Sequence, residues 1–348
     1  MAFYPTQQYL LIILDILKEH SDPEHRLSVA NIVKIAKRDY GLDNFNRGKA
    51  KKALIYLYDY YKDNIGCVTH KKKDGSEYLS GWHYISDFTD AEIDILVNSI
   101  TFSKYIPYNV SKEMVGKLKK LSGINYRNRK IYFGNDNTNN QLTYCLDILS
   151  EAMSTEDGRM PTRVAFNHLR QTTSGKLIPE KNEDGTPRIR IVSPYEVVIK
   201  NEKYYLICSH SAGNNLFHYR VDLMHDIEIL KDRPIRPLRE VSDEYLYGLD
   251  LDKYMNEHIY MFGGESMEVT IKIDKNAPLN IVGHVIDSFG NEVQFFDETD
   301  DDVRARFTVN KNAMKYWALQ YGLYVEVETP GLREQVTKAI KEISKKYK

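Results

Sequence analysis

Residues 46–79 read NRGKAKKALIYLYDYYKDNIGCVTHKKKDGSEYL and carry two patterns in succession. Asn46 is a good helix N-cap residue, and Ala50, Ala53, Leu54 and Leu57 then recur at helical spacing as one apolar stripe. The stripe leaves Arg47, Lys49, Lys51 and Lys52 crowded into the first two turns. Cations there oppose the positive end of the helix dipole, so helix stability does not explain them. After the helix, Ile65–His70 and Ser76–Leu79 read as strands joined through Lys71-Lys72-Lys73-Asp74-Gly75. Asp-Gly between two such runs predicts a hairpin. Working outward, residues 7–19 place Leu10, Ile13, Leu14 and Leu17 on one helical face. Ser28 caps a second helix, with Ile32, Ile35 and Ala36 inward, that ends near Gly41. Three helices followed by a basic-tipped hairpin is the layout of a winged helix-turn-helix. Its third helix enters the DNA major groove by its N-terminal residues, and the hairpin reaches the backbone or minor groove.

Residues 46–73 hold eight Lys or Arg against two acids, a local charge of +6. A solvated basic helix beside an ordinary Lys-rich turn would explain the charge run alone. Helix order, cation position and hairpin taken together favour DNA. The expected contacts are Asn46, Arg47, Lys49, Lys51 and Lys52 on the helix and Lys71, Lys72 and Lys73 on the hairpin.

The rest of the 348 residues accommodates further domains at ~100–200 residues each. Thr89-Asp90-Ala91-Glu92 is a capping box opening a helix with Ile93, Leu96, Val97 and Ile100. A helix from Ser111 to a Gly123 stop follows, then a polar break at Asn135–Asn140 and a helix carrying Leu142, Cys145, Leu149 and Ala152. These helices suit dimer contacts or a plain intramolecular bundle. From about residue 160 the period changes from 3.6 to 2. Short strands at Arg163–Leu169, Arg188–Val192, Glu196–Ile199, Tyr204–Cys208, Leu216–Val221 and Ile227–Leu230 predict a small antiparallel barrel. The last 80 residues read βαββαβ plus a helix, a ferredoxin-like unit. The expected organisation is α+β and multidomain: 1–86 a winged helix-turn-helix, 87–158 a helical connector, 159–240 the barrel and 241–348 the ferredoxin-like extension.

The total of 48 Lys plus Arg against 49 Asp plus Glu, formally −1, conceals segregation. Residues 240–302 hold sixteen acids against three Lys. DNA would repel that acidic stretch while attracting the +6 segment, which would orient the molecule on its site. The 26 Tyr, against 12 Phe and 2 Trp, suit interfaces and base stacking as well as ordinary cores. Cys67, Cys145 and Cys208 share no metal-binding spacing and fit a reducing cytoplasm. The run Tyr9–Leu14, broken by Asp15, is too short to span a bilayer and lacks the flanks of a signal peptide, so the expectation is a cytoplasmic protein without membrane contact. Neither cofactor nor metal is expected. Asp300-Asp301-Asp302 reads as a solvated turn, and no nucleophile motif frames Ser193, Ser209 or Cys208, so no enzyme is expected.

In the barrel region, alternation puts His218 and Arg220 on one strand face, and Arg188 and Arg190 on one face of another. Tyr204 and Tyr205 take opposite faces of a third. Arg offers paired hydrogen bonds to phosphate and Tyr a stacking ring, so the set could bind an anion bearing a planar group. The same residues also suit solvated strand faces with pairs to Asp222 or Glu196.

Ser193-Pro194-Tyr195, Lys203-Tyr204-Tyr205-Leu206-Ile207 and Phe217-His218-Tyr219-Arg220-Val221-Asp222 together resemble the signature of WYL-domain transcriptional regulators. Tyr204 stands where the naming triplet has Trp. Phe88–Glu92, Phe102-Ser103-Lys104-Tyr105-Ile106-Pro107 and the late Glu326-Val327-Glu328-Thr329-Pro330-Gly331-Leu332-Arg333 are similar to bacterial members too, so the resemblance covers nearly the whole chain. It implies an Sm-like (SH3-type) barrel for the WYL domain and a ferredoxin-like C-terminal (WCX-type) extension. It further implies a homodimer on double-stranded promoter DNA, responding to a nucleotide or single-stranded oligonucleotide. Tyr204, Tyr205 and Leu206 then fill the naming triplet, and His218 and Arg220 the ligand-facing positions before Asp222. Leu223 departs from the Arg that the family often has there. A second function class shares this fold: an accessory single-stranded nucleic-acid-binding protein of a bacterial defence system.

Overall fold

A computed structural model describes residues 8–134 and 139–348. Residues 135–138 of the polar break at Asn135–Asn140 lie outside the described residues. The chain is mixed α/β, with twelve α-helices among the described residues and three antiparallel sheets. It divides into two compact units, Met1–Thr138 and Asn139–Lys348. Among the described residues no helix is long and apolar enough to cross a membrane.

The first unit runs α1 (Gln8–His20), α2 (Val29–Tyr40), α3 (Arg47–Tyr60), β1 (Ile65–Lys71), β2 (Glu77–Tyr84), α4 (Asp90–Thr101), α5 (Tyr108–Lys119) and α6 (Ile124–Asn128). The caps read from the sequence are present. Ser28 Oγ accepts from Asn31 N at 3.1 Å, Asn46 Oδ1 from Lys49 N at 3.0 Å, and Thr89 with Glu92 closes a capping box. Gly41 ends α2 at φ 64°, a left-handed conformation that glycine adopts without strain. Ala50, Ala53, Leu54 and Leu57 are buried against Ile13, Leu17, Ile32 and Trp82. Trp82 also pairs with Leu27 in an isolated antiparallel bridge, which ties the chain before α2 to the hairpin.

The helix read from Ser111 to a Gly123 stop is α5, and a second, short helix, α6, starts directly after that glycine. Asp90 Oδ1 accepts from Gly123 N at 3.1 Å and Asp22 Oδ2 from Ile124 N at 2.9 Å. These carboxylates satisfy amides at the start of a new helix, α6, so the chain turns where a continued α5 would have been.

The second unit begins with α7 (Gln141–Met153), whose Leu142, Cys145, Leu149 and Ala152 are buried as the spacing predicts. Six strands follow: β3 (Thr162–Gln171), β4 (Leu177–Pro179), β5 (Ile189–Lys200), β6 (Lys203–Ser209), β7 (Phe217–Arg220) and β8 (Met224–Pro234). The sheet order is β4-β3-β5-β6-β7, with β8 also on β3. Where the sequence suggested two strands around Pro194, there is one long strand, β5. Its first part pairs with β3 and its second with β6, and a register shift between Pro194 and Glu196 marks the bend. Proline is tolerated at such an irregularity because no ladder hydrogen bond is required of it there. Then come α8 (Leu238–Val241), α9 (Leu251–Glu257), β9 (Ser266–Asp274), α10 (Ile281–Phe289), β10 (Gln294–Phe296), β11 (Asp302–Asn310), α11 (Lys311–Gln320), β12 (Val325–Val327) and α12 (Pro330–Lys346). The last sheet has the order β10-β11-β9-β12 and its helices bury one face of it around Trp317, Phe289 and Phe307.

Candidate functional site

In the first unit, burying the apolar stripe of α3 turns its cations outward. Arg47, Lys49, Lys51, Lys52 and the hairpin residues Lys71, Lys72 and Lys73 are all exposed. Two of them are engaged within the unit. Lys49 Nζ donates to Asn44 O at 3.3 Å and lies 5.4 Å from the Tyr9 ring centre, and Lys71 Nζ is 3.9 Å from Glu77 Oε1. Arg47, Lys51, Lys52, Lys72 and Lys73 have no ion pair among the described residues. Asp74 is committed to the turn, where its Oδ1 accepts from Ser76 N at 3.0 Å and Ser76 Oγ at 2.7 Å. Asn46 keeps its side-chain oxygen on Lys49 N. It therefore sits at the exposed tip of α3 with only its amide N–H groups left to offer outward.

In the six-stranded sheet of the second unit, the six residues read as one site fall into separate surroundings. Arg220 forms a two-bond pair with Asp222, Nε to Oδ1 at 3.1 Å and Nη2 to Oδ2 at 2.6 Å. Arg190 Nη2 donates to Glu180 Oε2 at 2.6 Å, and its guanidinium lies over the Tyr219 ring at 5.3 Å. Arg188 is exposed, and Tyr204 is half-buried in register with Ile199. Tyr205 and His218 face a cluster formed by α8, α9 and the chain after them, with Ile207, Val241, Tyr254 and Met261.

Tyr219, on the face opposite His218, gathers what the sequence reading missed. Its hydroxyl is 3.0 Å from His210 Nε2, its ring packs edge-on against Phe166 at 5.2 Å, and His168 lies at 5.6 Å. His168 in turn is 3.5 Å from Glu180, which it shares with Arg190. One arginine, two imidazoles and a phenylalanine thus surround the Tyr219 ring, with the Glu180 carboxylate joining Arg190 to His168. Beside that ring, Arg190 Nη2 is taken by Glu180 while Nη1 is buried without a hydrogen-bond partner among the described residues. Strand alternation places Tyr219 away from His218 and Arg220, and this was the available signal for a second face.

His218 Nε2 lies 2.7 Å from the Tyr254 hydroxyl, and Tyr254 stacks on His258 at 4.0 Å. Burial, with the His258 ring beside it, pushes the His218 imidazole down to about 3. Burial lowers His258, His168 and His210 as well. An unfolded imidazole takes up its proton near ~6.5. Below that pH the unfolded chain binds protons that the folded chain refuses. The stability these residues contribute is therefore complete above pH ~6.5 and is lost progressively as pH falls, for His218 toward about 3. Urea midpoints measured from pH 7 to pH 4 fall with acidification, and His218→Asn, which cannot take the proton, falls less steeply. Equal slopes for the two proteins would contradict the assignment.

Residues 180–229 match the family model of the WYL domain. The matched segment starts at Glu180 and contains β5, β6, β7 and the first part of β8. No curated protein sequence matches the chain. Among solved structures it is similar to proteasome accessory factor B/C (PafBC) of Arthrobacter aurescens, at 14% identity and a TM-score of 0.27 over 95% of this chain. The chain spans 46% of that structure's length. It is also similar to a structure described as a CRISPR Cas-related protein, at 13% identity and a TM-score of 0.36, covering 100% of this chain and 87% of the other. The matching segment thus includes Arg190 and the strands that carry Tyr204, Tyr219 and Arg220.

Proposed function

We propose that the protein is a DNA-binding transcriptional regulator whose WYL-matching barrel senses a nucleic-acid-derived or other anionic ligand. One observation carries this reading. Five exposed cations without internal acid partners crowd the first two turns of α3 and the hairpin tip, while the opposite face of α3 is buried. Such charges favour phosphate and do nothing for the helix that bears them.

The order α1-α2-α3-β1-β2, with the Leu27–Trp82 bridge, supports a winged helix-turn-helix. The order β8-β3-β5-β6-β7 supports an Sm-like barrel, and β12-β9-β11-β10 with two crossover helices supports a ferredoxin-like extension. Exposed Ile95 and Phe102 of the α4 region, 67% and 65% accessible, support a homodimer contact there. Arg190 over Tyr219 supports recognition of a nucleotide or oligonucleotide effector.

The competing reading is an accessory single-stranded nucleic-acid-binding protein of a bacterial defence system. It draws on exposed Tyr56 and Tyr60 of α3 and on the stacked His70–Tyr78 pair of the hairpin, since aromatic faces stack on unpaired bases. Fluorescence anisotropy with a labelled duplex and with each of its separated strands distinguishes the two. Tighter binding of the duplex at equal salt is expected. Tighter binding of the single strands would transfer the proposal to the second reading.

A further inference from the structure

A cavity of about 430 Å³ lies in the second unit between the loop before β7, α9 and the start of β9. That volume is in the range of small-molecule sites. Its polar lining is one-sided. Glu244, Asp250, Glu257 and Glu265 face it, against Lys253 as the one cationic lining residue among those described. Three of the acids are exposed at its rim, whereas Glu257 is only 7% accessible.

Glu257 is the informative residue. A carboxylate taken out of water needs hydrogen-bond donors or a close cation to offset the lost hydration. No hydrogen bond to it is present among the described residues. Its nearest cation, Lys253 Nζ, stands at 3.8 Å, because that ammonium donates instead to Glu244 Oε1 at 3.3 Å. Asp250 is partly spent in capping α9, where it accepts from Lys253 N at 3.1 Å. Lys253 thus shows that the site accepts an ammonium, and one ammonium leaves the buried carboxylate without a donor. Tyr245 and Tyr254 supply aromatic wall. Burial, and then Glu244 and Glu257 beside it, push the Tyr245 hydroxyl up to about 12.

We propose that this cavity binds a small organic cation bearing N–H donors, a primary amine or guanidinium, with Glu257 as its buried anchor and Glu244 and Glu265 at the rim. An amine or guanidinium both neutralises the carboxylate and hydrogen-bonds it, which a quaternary ammonium cannot do. The site is separate in charge and place from the Arg190–Tyr219 face, and it stands whether or not the protein binds DNA.

Isothermal titration calorimetry on the full chain, without DNA, tests it with putrescine, spermidine and agmatine as probes and choline as the quaternary control. One-site binding of at least one N–H probe, with choline weaker, is expected. Glu257→Gln weakens that binding by about 10- to 100-fold. Lys253→Met, which removes the competing internal ammonium, tightens it. Asp287→Asn with Asp300→Asn, exposed acids outside the cavity, leaves it unchanged. Should Glu257→Gln fail to fold by circular dichroism, Glu244→Gln and Lys253→Met decide, with loss and gain of affinity respectively. Absence of binding, or many-site binding that responds to the Asp287 and Asp300 changes and ignores the cavity variants, would overturn the proposal. Choline binding more tightly than every N–H probe would overturn it too.

Discussion

With alanine at Lys71, Lys72 and Lys73, duplex DNA binds on the order of a hundredfold more weakly near physiological salt. Each phosphate neutralised by a protein cation releases condensed counterion and contributes about 0.9 to the slope of log K against log salt, so three lost contacts reduce that slope by about 2 to 3. The lower figure applies if Lys71 stays on Glu77 in the complex, at the 3.9 Å seen here. Folding is unaffected, since all three side chains are exposed and the turn is held by Asp74, Ser76 and the backbone bond from Lys72 N to Ser76 O. The loss is uniform across DNA sequences, because phosphates carry no sequence information. Changes at Arg47, Lys51 and Lys52, on the helix that would face base edges, alter preference between sequences as well. Anisotropy titrations at several salt concentrations check both statements, and an unchanged affinity for the triple variant would exclude the hairpin from the interface.

Arg127→Ala destabilises the first unit by about 2–4 kcal/mol. Its guanidinium donates to four carbonyls: Lys18 O at 3.0 Å, Glu19 O at 3.1 Å, Ser122 O at 3.0 Å and Lys120 O at 3.4 Å. The first two belong to the last turn of α1 and the others to the chain just beyond α5, where carbonyls have no helical donors of their own. Asp22 also holds the junction, through the amide of Ile124. Burial alone would raise its carboxyl, but amide bonds from Ile124, His25 and Glu24 and the His25 ring outweigh that and hold it below the usual carboxylate range. Its contribution is accordingly present above that range and is lost as pH falls through the lowered value. Lysine at 127 does not rescue, because one ammonium cannot reproduce the planar fork. A double-mutant cycle with Asp22→Asn, read by urea denaturation, yields a coupling energy above ~0.5 kcal/mol, as two locks on α6 should. A loss under ~0.5 kcal/mol for Arg127→Ala would show the junction to be redundant.

Periodic features were legible before the structure. Ala50, Ala53, Leu54 and Leu57 on α3, the Thr89–Glu92 box, and the alternation of Val269, Ile271 and Ile273 on β9 all point inward as their spacing predicts. These depend on one element at a time. The α5–α6 break was legible as the Gly123 stop, but α6 itself was not, because its first amides are held by Asp22 and Asp90, both distant in sequence. Nor was the unity of β5, since proline reads locally as a stop and only the pairing with β3 and β6 shows the strand continuing. The residues expected to bind a ligand divide for a similar reason. Alternation assigns a strand face but names no neighbour. Glu180, the partner of Arg190, stands at the edge of a hairpin with no periodic signal, Tyr254 comes from a helix of only seven residues, and His258 is the residue that ends it. Of the anticipated pairs, the one to Asp222 is present, and it engages Arg220.

The central claim is that the cations of α3 and the hairpin engage duplex phosphates, and the salt dependence of duplex binding by the full chain tests it most directly. Five cations free of internal ion pairs predict a slope of log K against log salt of about −4 to −5. A flat response, with affinity unchanged as salt rises, would contradict the account.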